Sequence, residues 1–278
     1  MKQILRGMAL LSFFAAAALV AQPPRSVAEV VREDARTISA GDGAALLALF
    51  DEDSRIYGTP EHPDRLDGPL AKTMGTHAER VASFPRIAEG GPIRLEVAEM
   101  IVAGDTAVSK NILTAPNGRV AFNLVVYRVR DGIIGDLWHP ARKPALDPAK
   151  GAGTREAVDR LVAAVNRGDA GAVRGLVHPD ARLFASSGAA HAIGDRPLIG
   201  TSRASGVDVR RLFGADAARV ALAESIVFDE YLASRYLAAL SDGREREGIA
   251  IFRIVDGRLA QAWRIQESAP RRACGTSP

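Results

Sequence analysis

The chain has 278 residues, of which 36 are Lys or Arg and 33 are Asp or Glu, giving a formal net charge of +3. With 47% hydrophobic and 25% charged residues, the composition is that of an ordinary globular protein. The small basic excess is spread along the chain without basic runs interleaved with aromatic residues, which argues against nucleic acid as a partner. This length accommodates one large domain or two ordinary ones.

The first 21 residues have the features of a secretory signal peptide. Lys2 and Arg6 precede an apolar run over 8–20, which is followed by a small residue and two prolines. The run is shorter than the ~20 residues that cross a bilayer as a helix. We therefore expect cleavage, export to the periplasm or the extracellular space, and no stable membrane span afterwards. The alternative is an uncleaved membrane anchor.

The sequence repeats itself at a constant shift of 125 positions. Aligning 98–138 with 223–263 gives eleven identities in 41 positions without a gap, where average composition predicts roughly two or three. The repeat predicts a first domain over 26–140 and a second over 154–267, with a linker over 141–153. The last segment, 268–278, contains the single cysteine, Cys274, and is expected to be a disordered tail. With one cysteine, no internal disulfide can form.

Each copy has helical patterns first and strand patterns second. Ser26 and Glu29 match a capping box, and the apolar residues that follow fall on one helical face. They are Val27, Val30, Val31 and Ile38. A short helix over 44–50, a brief strand over 55–58 and a third helix over 69–83 follow. From residue 93 onward, four strands are separated by Gly104-Asp105, Asn117-Gly118 and Asp131-Gly132, which suit two-residue hairpin turns. The fold class is therefore α+β.

Two-residue turns determine which side chains share a face of the sheet. They place Glu99 beside Lys110 on a first face, which also carries Val125, Tyr127 and Trp138. In the second copy they place Glu224 beside Arg235. A cross-strand ion pair is the favoured interpretation, and a catalytic carboxylate is the alternative. The second face of the first copy carries Met100, Ser109, Asn111, Phe122, Leu124, Val126, Leu137 and His139. Its counterpart in the second copy carries Ser225, Ser234, Tyr236, Ile249, Ile251 and Arg264.

Short motifs give the chain a resemblance to a known superfamily. These are the segment 41–50 and Trp138-His139-Pro140 in the first copy, with Gly168-Asp169 and Trp263-Arg264 in the second. With this order of helices and strands, the chain resembles the nuclear transport factor 2-like superfamily, and within it the SnoaL-like group. The resemblance implies two tandem cone-shaped units, each a curved antiparallel sheet packed against about three helices around an apolar cavity. It also implies pairing through the open sheet faces, here as an intramolecular pseudo-dimer.

Candidate site residues come from the second face, because an apolar surface with a few convergent polar groups is typical of a small-molecule pocket. His139 is the catalytic candidate, since an imidazole titrates near neutral pH; the alternative is a structural role at the strand end. In the SnoaL-like group an acid often stands where this chain has His139 and Arg264, so both copies depart from the pattern. The predicted ligand contacts are Tyr57, His62, Met100, Ser109, Asn111, Phe122 and Leu124, with Ser234, Tyr236 and Arg264 in the second copy. Of these, Tyr57 comes from the early strand and His62 from the loop after it. The alternatives are a surface loop position for His62 and a surface pair with Glu247 for Arg264.

Three functions remain open on the sequence alone. The first is an exported protein whose cavities bind a small apolar molecule. The second is a cofactor-free isomerase, cyclase, dehydratase or hydrolase that uses His139, and the third is a structural or interaction module. The sequence has no metal-ligand spacing and no phosphate-binding glycine loop, so we expect neither a metal nor a cofactor. Superfamily relatives include enzymes and non-catalytic binding modules, so the fold alone decides nothing about activity.

Overall fold

A computed structural model describes residues 24–57, 76–89, 91–185, 198–201 and 209–272. The proposed signal peptide, His62 and His191 lie outside these residues, as does the amino-terminal half of the predicted third helix. The described chain forms two α+β units, each with one sheet and its helices. The fold class predicted from the sequence is confirmed.

The first unit begins with helices α1 (Val27–Ala40) and α2 (Gly43–Leu47), followed by strand β1 (Phe50–Tyr57). Helix α3 (His77–Ser83) continues into a 3-10 turn, Phe84–Ala88. The four-stranded meander consists of β2 (Arg94–Ala103), β3 (Thr106–Thr114), β4 (Val120–Arg130) and β5 (Ile133–Lys143). The spatial order is β1-β5-β4-β3-β2, in which β1 runs parallel to β5 and the meander is antiparallel.

The second unit repeats this order with α4 (Pro148–Arg167), α5 (Ala170–Leu176) and β6 (Val177–Ala185). The short strand β7 (Leu198–Thr201) and a 3-10 turn, Val209–Leu212, precede its meander. The meander consists of β8 (Ala217–Phe228), β9 (Tyr231–Leu240), β10 (Arg244–Val255) and β11 (Arg258–Glu267). The order is β7-β6-β11-β10-β9-β8, and a last strand, β12 (Arg271–Arg272), pairs with the start of β10.

Local sequence accounts for the ends of α1. The Ser26 hydroxyl accepts from the Glu29 backbone N–H while the Glu29 carboxylate accepts from the Ser26 backbone N–H, so the predicted capping box is present. Gly41 ends the helix with φ 66°, a left-handed conformation that suits glycine. Gly168 ends α4 in the same way. The two glycines therefore give a common reference point for aligning the first helices of the two units.

One hairpin in each unit departs from the predicted two-residue turn. Thr114 pairs with Val120, and the Ala115 N–H donates to the Arg119 carbonyl, which leaves 116–118 as the loop. Gly118, with φ 78°, donates its N–H to the Ala115 carbonyl. This three-residue loop fits a type I turn followed by a left-handed glycine. The hairpin at Gly243 has the same form, since its N–H donates to the Leu240 carbonyl. The predicted two-residue turn at Asp131-Gly132 is confirmed, with both residues at positive φ.

The extra loop residue shifts the register by one and exchanges the faces of β4 and β10. Val125 and Tyr127, predicted beside Glu99, lie on the side of the sheet that faces the helices. The predicted helix-side positions of Phe122, Leu124 and Val126 were wrong, because these residues pack on the opposite side. The same correction applies to Ile249 and Ile251 in the second unit. Further bulges in β5 return Trp138 to the face of Glu99.

The two units pack against each other through the faces that their helices leave uncovered. This inter-sheet core contains Ile101, Val108, Leu124, Val126 and Trp138 from the first unit, and Ile226, Ala233, Ile249, Ile251 and Trp263 from the second. The Trp138 and Trp263 rings meet edge to face at a centroid distance of 5.9 Å. Phe184 stacks on Trp263 at 5.8 Å. This is the intramolecular pseudo-dimer arrangement that the resemblance implied.

The connection between the units is shorter than the predicted linker. Strand β5 runs to Lys143 and α4 begins at Pro148, so 144–147 alone joins them. The Glu230 carboxylate accepts from Lys143 and from Lys150, both at 3.0 Å. Burial opposes ionisation of Glu230, but these hydrogen bonds hold its pKa below the usual value. Residues of the predicted disordered tail also differ, because Arg271 and Arg272 form β12.

No helix in the described part of the chain is long and apolar enough to cross a membrane.

We expect the Trp138–Trp263 contact to contribute strongly to stability. Trp138→Ala and Trp263→Ala should each lower the free energy of unfolding by about 3–5 kcal/mol, because each empties a buried site. The double variant should cost less than the sum of the two, since edge-to-face aromatic pairs contribute about 0.5–1.5 kcal/mol of their own. Chemical denaturation measures all three. Val120→Ala, at a side chain that is 42% exposed, is the control and should change stability by less than about 0.5 kcal/mol. Strict additivity of the two tryptophan variants would contradict the expected coupling.

Candidate functional site

A buried carboxylate lies where helix α1 packs on the sheet of the first unit. Asp34 follows Val30 and Val31 by one helical turn, so it belongs to the stripe of α1 that faces the sheet. Its side chain is 3% exposed. A buried carboxylate requires a hydrogen-bonding partner, and the sheet provides one.

Tyr127 on β4 is that partner. Its hydroxyl donates to the Asp34 carboxylate at 2.9 Å, and the same oxygen accepts from the Asn111 side-chain amide at 3.4 Å. Tyr127 and Asn111 are both at most 1% exposed. The three side chains therefore form one chain of hydrogen bonds, from β3 through β4 to α1. We call Asp34, Ser109, Asn111, Asn123 and Tyr127 the polar cluster.

The surroundings of the cluster change its acid–base properties. Burial raises the pKa of Asp34 from 3.8 to about 6, and the hydrogen bond from Tyr127 only partly opposes this. Burial and the neighbouring Asp34 charge raise the pKa of Tyr127 well above its ordinary value. At neutral pH the pair is therefore a carboxylate that accepts a hydrogen bond from a protonated phenol.

Two carboxamides lie side by side at the other end of the cluster. Asn111 and Asn123 are directly opposite each other on β3 and β4, and both are at most 5% exposed. Among the described residues, neither side-chain oxygen has a hydrogen-bond partner. Buried acceptors without partners cost roughly 1–3 kcal/mol each, so this arrangement is not explained by stability.

The second unit keeps the serine of the cluster, as Ser234, and has a leucine, two aromatic residues and a glycine at the other four positions. Counted back from the helix-ending glycines, Leu161 is the equivalent of Asp34. By the repeat shift of 125 positions, Phe252 is the equivalent of Tyr127. Tyr236 and Gly248 form the cross-strand pair that corresponds to Asn111 and Asn123. Tyr236 packs edge to face on Phe213 with ring centroids 5.2 Å apart. The buried carboxylate–phenol pair of the first unit therefore has no polar counterpart at the two equivalent positions, Leu161 and Phe252, which the structure describes.

Three predicted site residues lie on the helix side of the first unit, as their β3 and β2 positions require. Ser109 and Asn111 belong to the polar cluster. Ser109 lies close enough to the Tyr127 hydroxyl to oppose part of the rise in the pKa of Tyr127. Met100 is opposite Ser109 and packs half-buried against the apolar core of this unit. Their role as ligand contacts stays a prediction.

Three other predicted contacts do not join them. Phe122 and Leu124 pack between the two sheets because of the three-residue loop before β4. Tyr57 is 4% exposed in the same inter-sheet core, since its position on β1 is paired with Trp138 rather than with a residue of the helix-facing surface.

The two histidines of the prediction stand apart from the cluster. His139 is half-buried on β5, between Trp138 and Ala141, where the pairing with β4 is irregular. The side-chain hydrogen bonds of Asp34 and Tyr127 within the described chain do not involve it. His62 lies outside the described residues. A catalytic role for either residue stays a prediction.

In the second unit the predicted polar contacts serve the packing of the sheet. The Ser234 hydroxyl donates to the Glu224 carbonyl at 2.8 Å and accepts from Ser225. Tyr236 is part of the helix-side core. Arg264 is half-buried on β11, while Glu247, its suggested surface partner, pairs with Arg235 and Arg271.

The cross-strand ion pairs predicted from the sheet pattern are confirmed. Lys110 pairs with Glu99, and Arg235 pairs with Glu224 at the equivalent place in the second unit. Both glutamates are exposed, so the alternative of a buried catalytic carboxylate at these positions has no support in the structure.

Sequence reasoning missed Asp34 and placed Tyr127 on the wrong face. The signal for Asp34 was present, because position 34 falls in the apolar stripe formed by Val27, Val30, Val31 and Ile38. A charged residue inside such a stripe is rarely buried without a specific reason. For Tyr127, the signal was Pro116-Asn117-Gly118, which fits a type I turn with a terminal glycine better than a two-residue turn.

Comparison with known proteins gives matches to folds only. No protein-family model matches the chain, and no curated protein does. Among solved structures, the chain is similar to a Delta 5-3-ketosteroid isomerase from Mycobacterium sp., with 23% identity over 41% of this chain and 91% of that one, at TM-score 0.33. It is similar to a putative polyketide cyclase from Sinorhizobium meliloti, with 17% identity over 40% of this chain and 92% of that one, at TM-score 0.32.

A third similar structure is an NTF-2 like protein of unknown function from Burkholderia xenovorans, with 18% identity over 45% of this chain and 91% of that one, at TM-score 0.34. Each of these three matches covers less than half of this chain.

The raised pKa of Asp34 predicts how stability depends on pH. The folded state binds this proton more tightly than the unfolded state does, so the contribution of Asp34 to stability is largest below pH 4 and is lost as the pH rises through about 6. Relative to Asp34→Asn, the unmodified protein should lose about 2 kcal/mol of unfolding free energy between pH 4 and pH 7. Urea denaturation of both proteins at each pH measures this difference. Asp53→Asn, on the exposed part of β1, is the control, and an equal loss in Asp34→Asn and the unmodified protein would contradict the prediction.

Proposed function

We propose that the first unit binds a small, mostly apolar molecule over the polar cluster and exchanges a proton with it through Asp34, without a cofactor. This places the protein among isomerase- or cyclase-type catalysts of proton transfer. The observation that carries the proposal is the buried hydrogen-bond chain Asn111–Tyr127–Asp34 in one unit and its replacement by apolar groups in the other.

Asp34 has the properties of a general acid–base group. Such a group works best when its pKa lies near the working pH, and the pKa of Asp34 is raised to about 6. The Asp34 carboxylate, which would accept the proton, is held in place by a 2.9 Å hydrogen bond from the Tyr127 hydroxyl. In the proposed step the carboxylate takes a proton from the bound molecule, becomes a neutral acid, and returns the proton to another atom of the same molecule.

The residues around the cluster favour an apolar molecule. Aliphatic side chains of α1, β2, β4 and β5 make up the helix-side core of this unit, and its members nearest the β2 edge are only partly buried. Those partly buried members are Val97, Met100 and Val102. A largely apolar surface with a few polar groups is the usual composition of a small-molecule site.

Comparison of the two units strengthens the assignment to the first. Both have the same strand pairing and the same first helix, so the scaffold itself does not require polar groups at these positions. The second unit fills them with Leu161, Phe252 and Tyr236, all at most 1% exposed. We infer that the second unit supports the structure and that the first carries the chemistry.

We also propose that the mature protein acts outside the cytoplasm. The charged start and the short apolar run of the first 21 residues support this proposal. Amino-terminal sequencing of the protein recovered from a secreting host tests it: a mature chain that starts near residue 22 is expected, and an intact amino terminus in the cytoplasm would contradict it.

The enzymatic proposal is tested on the molecule that co-purifies with the protein, identified by extraction and mass spectrometry. Asp34→Asn should reduce its turnover by roughly 10²–10⁴-fold, the usual contribution of a general base. Because the carboxylate is the active form, kcat/KM should rise as the pH increases through about 6. His139→Ala, on β5, separates this proposal from the alternative that His139 is the catalytic residue.

Two controls make the outcomes distinct. Tyr236→Phe removes a buried hydroxyl from the second unit and should leave binding and turnover unchanged. Asn111→Tyr places in the first unit the ring that fills the second, and should abolish binding of the molecule. Binding without turnover in the unmodified protein would leave a carrier function and refute proton transfer, whereas loss of turnover in His139→Ala alone would transfer the catalytic role to His139.

A further inference from the structure

The hydrogen-bond chain of the polar cluster fixes which groups remain for a ligand, and this inference rests on the proposed function. Tyr127 has a single hydroxyl proton, and that proton is committed to Asp34 at 2.9 Å. Its oxygen is therefore left as an acceptor, and it accepts from the side-chain amide nitrogen of Asn111 at 3.4 Å, so Asn111 turns that nitrogen toward Tyr127.

The hydrogen bond to Tyr127 determines which end of the Asn111 carboxamide faces Tyr127, because the oxygen and nitrogen ends have the same shape. Turning the carboxamide over would bring its oxygen against the Tyr127 oxygen, with no proton between them. The Asn111 oxygen is therefore directed away from Tyr127, and among the described residues it has no donor. The oxygen of Asn123, directly opposite on β4, has none either.

Both carboxamides are more than nine-tenths buried, at 1% and 5% exposure. A buried acceptor without a donor costs roughly 1–3 kcal/mol, and a ligand that supplies a donor recovers this cost on binding. A ligand that presents only an acceptor, such as a ketone or ether oxygen, leaves these two oxygens without a donor and recovers none of that cost. The open positions of the cluster thus select for donors.

We propose that the ligand of the first unit presents a hydrogen-bond donor, an O–H or N–H group on an otherwise apolar body, to the side-chain oxygens of Asn111 and Asn123. The geometry assigns these two asparagines as the residues that distinguish an alcohol or an amine from its methylated or carbonyl counterpart. Sites that hydrogen-bond a ligand group discriminate strongly against the analogue that lacks it.

Matched probes test this directly on the full-length protein at pH 7.5. 2-Naphthol is compared with 2-methoxynaphthalene, and indole with 1-methylindole, so that each pair differs by one methyl group on the donor atom. Intrinsic or probe fluorescence gives each dissociation constant. We expect the donor of at least one pair to bind tenfold or more tightly than its methylated partner. The naphthol and indole arms show whether O–H or N–H is preferred.

Variants locate the preference. Asn111→Leu and Asn123→Ala should each reduce the donor preference to less than about threefold, while Ser225→Ala in the second unit should leave it unchanged. Circular dichroism and urea denaturation test whether each variant is folded. If a variant does not fold, the donor preference is still tested by comparing the two probes of each pair on the unmodified protein.

The outcomes distinguish the donor preference from the proposed function on which it rests. Equal binding of donor and methylated probes, lost in Asn111→Tyr, would overturn the donor preference and leave the proposed site intact. Tighter binding of the ketone 2-acetonaphthone than of 2-naphthol would do the same. Failure of every probe to bind would overturn both the preference and the site.

Discussion

The packing of one sheet on the other is the contact on which the arrangement of the whole chain depends. Each unit by itself has helices on one face of its sheet and an uncovered apolar face on the other. Joining these faces buries Trp138 against Trp263 and surrounds them with aliphatic side chains from both meanders. Because each sheet covers the open face of the other, a ligand can reach the polar side chains buried inside a unit only from the helix side. The inter-sheet core therefore determines where the chemistry of the protein can be located.

The helix sides of the two units provide an internal comparison that a single-domain protein would not offer. Their strands pair in the same register and carry bulges at the same places, between Val97 and Glu99 and between Leu222 and Glu224. Their helices end at equivalent left-handed glycines. With the backbone held constant, the exchange of Asp34 for Leu161 and of Tyr127 for Phe252 isolates a difference in chemistry. At these two positions the first unit has a buried carboxylate and a buried phenol, and the second unit has an aliphatic side chain and an aromatic ring without a hydroxyl.

Much of the fold could be predicted from the sequence because its signals are local or repeated. The capping box at Ser26, the Gly-Asp turns and the shift of 125 positions each have a direct physical meaning, and together they indicate two α+β units. What failed was the register of β4, because one additional loop residue at Pro116-Asn117-Gly118 is a small change in sequence that moves the side chains of this strand to the opposite face. Ser109 and Asn111 were correctly placed, since they precede that loop. Asp34 was not found, because its role depends on a contact with Tyr127 across 93 positions of sequence.

The tandem arrangement also offers a physical reason for the division between the units. A buried carboxylate with a raised pKa and two carboxamide oxygens without donors all oppose folding, and proteins tolerate such features mainly at functional sites. At the equivalent positions of the second unit, Leu161, Tyr236 and Phe252 belong to one apolar core with Phe213. Since the units share the inter-sheet core, the stability of the second is coupled to the first. An apolar copy can therefore offset the destabilising groups of the polar copy, which frees the first unit to hold an acid in the position that proton transfer requires.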